Sequence, residues 1–202
     1  MTTVATLGLI HLWNFEDFSE DASDFFDMKD SYAKAGACIA LGLCCSGVRD
    51  ESEPAMALLS ENLESEDNNM KLGSLIGFGL AYANHQKEDI KELFQDLIYN
   101  EELDIEVNIN AALAQSLVFL ASKDEDTINS ILTSMMIFQK DKIEKKEALF
   151  FGVALALNFL GKQNECEACL EALDGLENKW GKIFKVIVES AAYIGSGNVL
   201  KI

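Results

Sequence analysis

A short pattern that recurs at intervals of 34, 37, 37, 40 and 34 residues constrains this chain more than any other feature. Each copy starts with a small residue, which is followed by Leu in all copies but one. The copies read GLIHLW, GLCCSG, GLAYAN, SLVFLA, ALNFLG and SAAYIG, and they begin at Gly8, Gly42, Gly79, Ser116, Ala156 and Ser190. Intervals of this length are typical of helix–turn–helix repeats, whose hairpins bury their apolar faces by stacking on one another. Residues 1–202 are therefore predicted to form one array of about five to six stacked helical hairpins.

The first helix of each hairpin is expected to be buried. Residues 70–84, MKLGSLIGFGLAYAN, are apolar nearly all round and yet include Gly73, Gly77 and Gly79. A glycine inside a helix costs about 1 kcal/mol relative to alanine, so packing must compensate for it. Helices that are apolar on every side are buried on every side, and missing side chains let two backbones approach closely. We therefore expect a crowded inner layer of small-residue helices.

Amphipathic stretches separate these inner helices, at residues 54–64, 88–99, 124–138 and 164–173. Their helical periodicity predicts outer helices with one buried and one solvent-exposed face. Ser122 and Glu125 have the spacing of a capping box at the start of the third stretch. The residues expected to face the core are Met56, Leu58, Leu59, Leu63, Ile90, Leu93, Phe94, Leu97, Ile128, Ile131, Leu132, Met135, Cys166, Cys169, Leu170 and Leu173. With a single proline in the chain, these patterns predict an all-α fold.

A turn is expected five residues after each small anchor residue. Gly47, Asn84, Gly161 and Gly195 stand at that position, where a residue in the left-handed conformation ends a helix. Trp13 and Ala121 hold the same position in the other two copies and depart from the preferred residue types.

The charge of the chain restricts its partners. With 16 basic and 34 acidic residues, the formal net charge is −18. Nucleic acids and anionic membrane surfaces need clustered Lys and Arg, so neither is expected as a partner. No apolar run reaches the ~20 residues of a membrane-spanning helix. An acidic surface favours a partner with a basic rim, although acidic faces are often merely solvated.

The sequence contains no convincing catalytic, metal or cofactor motif. Cys166 and Cys169 form a CxxC pair, but there is no second pair and no nearby histidine, so they are interpreted as core residues. Reduced cysteines are typical of the cytoplasm and nucleus, where we expect this protein. Glycines 73, 77 and 79 are not followed by the Lys-Ser or Lys-Thr pair of a phosphate loop, and Gly195-Ser196-Gly197 lacks the third glycine of a dinucleotide site. His11 and His85 are isolated in the sequence. We therefore expect no enzyme, no metal site and no cofactor.

Three segments resemble the proteasome/cyclosome repeat family, and within it the non-ATPase scaffold subunits of the proteasome regulatory particle. They are SGVRDESEPAMALL from Ser46, LGSLIGFGLAYA from Leu72 and AYIGSGNVLK from Ala192. The resemblance covers essentially the whole chain. It implies a helical-hairpin solenoid that forms an arc of an α-toroid, truncated here at both ends, with apolar surface exposed at both cut ends.

The resemblance also implies a function. Its members are non-catalytic scaffolds that dock ubiquitin chains and the ubiquitin-like domains of shuttle factors, and that contact the proteasomal ATPase ring and other regulatory particle subunits. In that family, ubiquitin docks on an outer helix carrying three acidic residues on one face. These positions correspond here to Asp126, Thr133 and Ile137, of which Asp126 alone keeps the acid. Glu92, Asp96 and Glu165 on neighbouring outer faces are expected to supply compensating charge.

Two other interpretations stay open at the sequence level. The alternative to the docking scaffold is a purely structural role, as an assembly surface of the sister proteasome base subunit or of a subunit of the anaphase-promoting complex. Asp126 also has a simpler explanation, because an acidic residue in the first turn of a helix is stabilised by the helix dipole.

Overall fold

The computed structural model describes residues 1–48, 53–176 and 179–198. Every regular element within these ranges is helical, which confirms the predicted all-α repeat fold. Residues 49–52 and 199–201, which belong to two of the three family-like segments, lie outside the described residues. Short 3₁₀ segments occupy Lys146–Ala148 and Gln163–Cys166. The α-helices are α1 Thr2–Ile10, α2 Phe15–Phe26, α3 Ser31–Cys44, α4 Pro54–Leu63, α5 Asn68–Ala81, α6 Asp89–Tyr99, α7 Ile105–Val118, α8 Glu125–Ile137, α9 Lys140–Ile143, α10 Leu149–Asn158, α11 Glu167–Asp174 and α12 Gly181–Ala192.

The helices form two compact units, Met1–Ala83 and Asn84–Ile202. In the first unit, the inner helices α1, α3 and α5 pack on one another, and α2 and α4 lie outside them. In the second unit, α10 packs on both α7 and α12, and the outer helices are α6, α8 and α11. Each of the six small anchor residues lies in an inner helix, so the sequence repeat coincides with the structural hairpins.

The inner helices of the first unit touch backbone to backbone at glycines. A Cβ atom added to Gly8 would lie 2.1 Å from the carbonyl oxygen of Ala40, and one added to Gly42 would lie 2.3 Å from that of Gly77. At Gly73 the nearest atom would be the carbonyl oxygen of Ala35, at 2.6 Å. Since these neighbours are backbone atoms, no side-chain rearrangement makes room for a methyl group. Close contact between the helices therefore compensates for the helix-destabilising glycines, as the sequence predicted.

The second unit uses alanine and an aromatic ring in place of most of these glycines. Helix α7 contains no glycine, and it buries Ala111, Ala112 and Ala114. In α10, a Cβ added to Gly152 would lie 2.6 Å from Cδ1 of Phe184 on α12. Small residues thus line the contacts between inner helices in both units. In the second unit, side chains such as that of Phe184 also take part in these contacts.

The prediction that the inner helices are buried on all sides is wrong for α1 and α12. Gly8 is the buried residue of α1, where Leu9 and Ile10 are 58% and 72% exposed. Helix α12 leaves Val186 63% exposed, although Phe184 and Val188 are fully buried. Each of these helices packs on one inner neighbour of its unit, whereas α3 and α10 pack on two.

All six turns contain a left-handed residue at the predicted position. The φ angles of Gly47, Gly161 and Gly195 are 72–74°, and that of Asn84 is 59°. Trp13 and Ala121 depart in residue type but not in conformation, because their φ angles are 68° and 53°. The fold therefore imposes this backbone conformation even where the residue pays a steric cost of roughly 1–2 kcal/mol.

Hydrogen bonds to the next hairpin explain why the turn is fixed. The amides of Trp13, Asn84, Ala121 and Gly161 each donate to a carbonyl at the end of the following inner helix. The distances are 2.8 Å from Asn84 to Leu117, 2.9 Å from Ala121 to Leu157 and 3.0 Å from Gly161 to Ala191. The carbonyls of a last helical turn have no partner within their own helix, so each of these four turns satisfies one carbonyl in the neighbouring hairpin.

A second left-handed residue follows two positions later in several turns. Gln86, Lys123 and Gln163 have φ angles of 53–57°, and Gly197 stands at the equivalent position with 67°. The amides of Gln86 and Lys123 also donate to the next inner helix, at Val118 and Asn158. The segment Gly195-Ser196-Gly197 is therefore one more copy of the repeat turn, which accounts for its two glycines.

The buried faces of the outer helices are narrower than predicted. In α4 and α6, burial follows a strict four-residue spacing, through Ala55, Leu59 and Leu63 and through Ile90, Phe94 and Ile98. Leu58 and Leu93, predicted to be buried, are 45% and 37% exposed because they lie one position off this stripe. Half-buried positions are Met56, Leu97, Leu132 and Leu170. The remaining predicted core residues are buried: Leu59, Leu63, Ile90, Phe94, Ile128, Ile131, Met135, Cys166, Cys169 and Leu173.

We predict that Gly42→Ala lowers the free energy of unfolding by about 1–3 kcal/mol, because its methyl group would overlap the backbone of α5. The matched control is Gly175→Ala. Gly175 lies at the end of α11 with φ −74°, and its added Cβ would be 3.3 Å from the nearest oxygen. Urea denaturation measures both variants, and equal effects would contradict the close-contact explanation.

We also predict that Ala121→Gly raises the free energy of unfolding by about 0.5–1 kcal/mol, because glycine adopts a positive φ without steric cost. Ala114→Gly, in the middle of α7, is the control, and its free energy of unfolding should fall by about 1 kcal/mol or more. Thermal unfolding of the two variants measures the difference, and a loss of stability in both would argue against a strained turn.

Candidate docking surface on the outer helices

Asp124 sets the start of α8. Its carboxylate accepts hydrogen bonds from the amide and the hydroxyl of Thr127, at 2.9 and 2.7 Å. The predicted capping box of Ser122 and Glu125 is wrong, because the Ser122 hydroxyl instead donates to the carbonyl of Phe119. Asp124 is thus the N-cap, and it satisfies one of the free amides in the first turn of α8.

The exposed face of α8 carries all three residues singled out by the family resemblance. The side chain of Asp126 is 81% exposed, Thr133 is exposed, and Ile137 is 43% exposed. They lie opposite the buried Ile128, Ile131 and Met135. The sequence analysis missed Met136, which is 72% exposed beside Ile137. The helical phase alone would have placed Met136 outside, one position beyond the last buried residue.

Lys91 on α6 joins the start of α8 to the preceding outer helix. Its ammonium lies 2.7 Å from Asp124, 2.8 Å from Glu88 and 3.3 Å from Asp126. It also lies 4.5 Å from the centre of the Phe119 ring, in a cation–π arrangement. The sequence analysis did not find this cluster, because the two partners on α8 are more than 30 residues away from Lys91 in the chain.

The cluster shifts the titration of its members. Burial by itself would lower the pKa of Lys91, but hydrogen bonds to Asp124, Glu88 and Asp126 raise it above the ordinary lysine range. Burial would likewise raise the pKa of Asp124, and the hydrogen bonds from Lys91 and Thr127 hold it below its ordinary value. Both groups are therefore charged at neutral pH.

The three compensating acids predicted on neighbouring helices are also exposed. Glu92 and Asp96 lie on the exposed face of α6. Glu165, in the 3₁₀ segment before α11, forms an ion pair with Lys123 that lowers the pKa of its carboxyl. Asp126 is thus linked to α6 by its ion pair with Lys91. Glu165 is linked to the turn before α8 by its ion pair with Lys123.

Two grooves flank α8. The groove towards α11 has an apolar floor that includes Ile128, Leu132 and Phe159, with Glu125 and Glu165 at its edges. The groove towards α6 is polar, and Asp126 and Asn129 line it. Helix α8 is therefore a ridge whose exposed residues border an apolar groove on one side and a polar groove on the other.

The two cysteines of the CxxC pair are core residues in the structure. Cys166 and Cys169 are buried, and burial raises the pKa of Cys169 to about 12, so it is a thiol at neutral pH. His11, isolated in the sequence, lies 2.9 Å from Asp21 in the structure. Among the described residues, no three His, Cys, Asp or Glu side chains are grouped to hold a metal ion. No helix within the described ranges has the length and apolarity needed to cross a membrane.

Comparison with known proteins agrees with the repeat architecture. The sequence profile of the proteasome/cyclosome repeat matches residues 36–72, which run from α3 through α4 into α5. Similar proteins align over the whole chain. The "26S proteasome non-ATPase regulatory subunit 2" of Dictyostelium discoideum is 31% identical over 202 residues, which are 100% of this chain and 22% of that protein. This chain belongs to the proteasome/cyclosome repeat family.

Other members of the family align just as fully. The "26S proteasome regulatory subunit rpn-1" of Neurospora crassa is 31% identical over 205 residues, covering 100% of this chain and 23% of the relative. The "26S proteasome regulatory subunit RPN2" of Candida glabrata is 27% identical over 209 residues, covering 98% and 21%. This proteasome/cyclosome repeat chain thus spans less than a quarter of the length of these relatives.

We predict that Lys91→Met lowers the free energy of unfolding at neutral pH by about 1–3 kcal/mol, because Asp124 loses its charged partner while remaining largely buried. The folded-state pKa of Asp124 is depressed, so its contribution is present above the ordinary aspartate pKa of about 3.9 and is lost as the pH falls through the folded-state value. The difference between the wild type and the variant should therefore shrink in acid.

Urea denaturation between neutral and acidic pH measures this difference. Lys185→Met is the matched control, since Lys185 and Asp174 also pair at 2.6 Å but are 32% and 63% exposed. The free energy of unfolding of that variant should fall by less than about 1 kcal/mol. A loss in Lys91→Met that does not change with pH would argue against the Asp124 contribution.

Proposed function

We propose that this chain is part of a non-catalytic scaffold of the proteasome regulatory particle. We further propose that the outer face of α8 docks ubiquitin chains and the ubiquitin-like domains of shuttle factors. The observation that carries the docking proposal is the exposed apolar pair Met136 and Ile137, on the same helix as the exposed Asp126.

An apolar centre bordered by acids suits a partner with an apolar patch and a basic rim. Fully buried apolar contacts at the centre of an interface supply most of its affinity, and complementary charges around them steer association. The net charge of −18 favours that steering. A contact of this size binds weakly with one module, and a ubiquitin chain raises the affinity by engaging several sites at once.

The scaffold role is supported by the relatives, two of which carry the names "non-ATPase regulatory subunit 2" and "rpn-1" of the 26S proteasome. The corresponding partners are the proteasomal ATPase ring and other regulatory particle subunits, and the corresponding location is the cytoplasm and nucleus. The exposed apolar residues of α1 and α12 are suited to packing against further hairpins of the same kind.

A purely structural role is the second candidate. It is favoured by the ion pair of Asp126 with Lys91, which gives this acid a function inside the fold. It is also favoured by Thr133 and Ile137, which replace the other two acids expected from the family. The similarity to "26S proteasome regulatory subunit RPN2" extends the same repeats to a differently named subunit.

Ubiquitin titration distinguishes the two candidates. We expect labelled ubiquitin to shift NMR signals of α8, and Ile137→Arg to weaken binding at least tenfold by adding a charge to the apolar centre. Leu58→Arg on α4 is the control, because Leu58 is equally exposed, at 45% against 43% for Ile137. Unchanged spectra at millimolar ubiquitin would leave the structural role as the explanation.

Charge reversal tests the acidic border separately. Asp126→Arg, alone and together with Glu92→Arg, should weaken the binding of a ubiquitin-like domain through repulsion of its basic rim. Because Asp126 lies 3.3 Å from Lys91, Asp126→Asn is needed as the control for damage to the cluster. Equal weakening in Asp126→Asn and Asp126→Arg would assign the effect to the fold and not to the partner's charge.

A further inference from the structure

The polar groove between α6 and α8 reaches an inner helix. It is lined by Gln115 of α7, which is 2% exposed, by Lys91, Gln95 and Tyr99 of α6, and by Asp126, Asn129 and Ser130 of α8. The groove holds about 250 Å³, several times the roughly 30 Å³ that one water occupies in the liquid. An entering side chain would therefore meet a buried amide at the bottom and a carboxylate at the top.

A chain of hydrogen bonds fixes the orientation of the Gln115 amide. Asp124 is ionised and accepts from Lys91 at 2.7 Å and from the Thr127 hydroxyl at 2.7 Å. Since the Thr127 hydroxyl donates its proton to Asp124, it must accept from Gln115, whose Nε2 lies 3.0 Å away. The nitrogen of the amide thus faces Thr127, and Oε1 is the atom left over.

Oε1 of Gln115 is buried and has no hydrogen-bond partner among the residues that the structure describes. A buried acceptor without a donor costs about 1–3 kcal/mol, so a donor that enters the groove gains that energy on binding. A hydrogen-bond donor that reaches Oε1 from the groove would satisfy this acceptor.

The charge at the top of the groove selects a cation. Glu88, Asp124 and Asp126 surround the single ammonium of Lys91, which leaves a local excess of two negative charges. The acceptors are spread over different depths, from the Asp126 carboxylate at the surface to the Gln115 oxygen at the floor. A guanidinium has five N–H donors in a flat fork and is weakly hydrated, whereas an ammonium is a compact and strongly hydrated point charge.

We propose that this groove, lined by Lys91, Gln95, Gln115, Asp126 and Asn129, receives an arginine side chain of the docking partner, which shares the Asp126 carboxylate with Lys91 and donates to Oε1 of Gln115. The inference rests on the proposed function, because it places the arginine in the basic rim of a ubiquitin-type partner. It assigns a partner contact to Gln115, a residue that no flat docking surface would touch.

A double-mutant cycle tests the proposal. The two variables are Gln115→Met, which removes the acceptor at similar volume, and ubiquitin in which the arginines are replaced by lysines. With the wild-type chain, the lysine form of ubiquitin should bind about tenfold more weakly, the effect of one charge-assisted hydrogen bond. With Gln115→Met, the arginine and lysine forms should bind alike.

Asn158→Leu is the matched control for loss of a buried amide. Asn158 is fully buried and its Oδ1 also has no partner among the described residues, but it lines neither groove beside α8. This variant should keep the tenfold preference for the arginine form. If ubiquitin binds, responds to Ile137→Arg and shows the same arginine preference with Gln115→Met, the groove assignment is overturned and the docking surface stands.

A second measurement does not depend on ubiquitin. Titration with N-acetyl-arginine amide at tens of millimolar should shift the side-chain amide signals of Gln115 in NMR spectra, and N-acetyl-lysine amide should not. Should ubiquitin fail to bind at all, this measurement decides alone. Equal shifts with the two compounds, or none with either, would overturn the arginine groove.

Discussion

The contact between the backbones of neighbouring inner helices is the constraint on which the rest of the structure depends. In the first unit it places carbonyl oxygens where a methyl group at Gly8, Gly42 or Gly73 would have to lie. The same proximity of α1 and α3 brings the amide of Trp13 within 3.0 Å of the Cys44 carbonyl at the end of α3. A larger residue in the layer would separate the helices and break this bond.

The turns transmit this constraint to the outer surface. Because a turn is bonded to the next hairpin, its conformation is set by the array and not by its own residue, as the positive φ angles of Trp13 and Ala121 illustrate. The turn at Ala121, for example, leads into the outer helix α8, whose first turn is capped by Asp124. Asp126 and Ile137 are exposed because they lie opposite the buried Ile128, Ile131 and Met135.

Charge at the outer surface serves both the fold and the proposed docking. Lys91 is held by Glu88, Asp124 and Asp126, so the acid singled out for partner binding is also part of an interhelical ion cluster. The same cluster orients Thr127 and, through it, the amide of Gln115. A partner that inserts a cation beside Asp126 would therefore compete with Lys91 for one carboxylate while finding a second acceptor below it.

The sequence by itself determined the repeat, the alternation of inner and outer helices and the solvent-exposed side of α8, because these follow from the spacing of small and apolar residues along one chain. The tertiary structure alone decided that Leu58 and Leu93 are exposed, and that Lys91 and Gln115 meet Asp124 and Thr127. These features depend on how neighbouring helices rotate and on contacts between residues far apart in the chain. Local periodicity fixes a helix and its apolar side, but the width of the buried stripe and the partners of each charge are set by the helices packed against it.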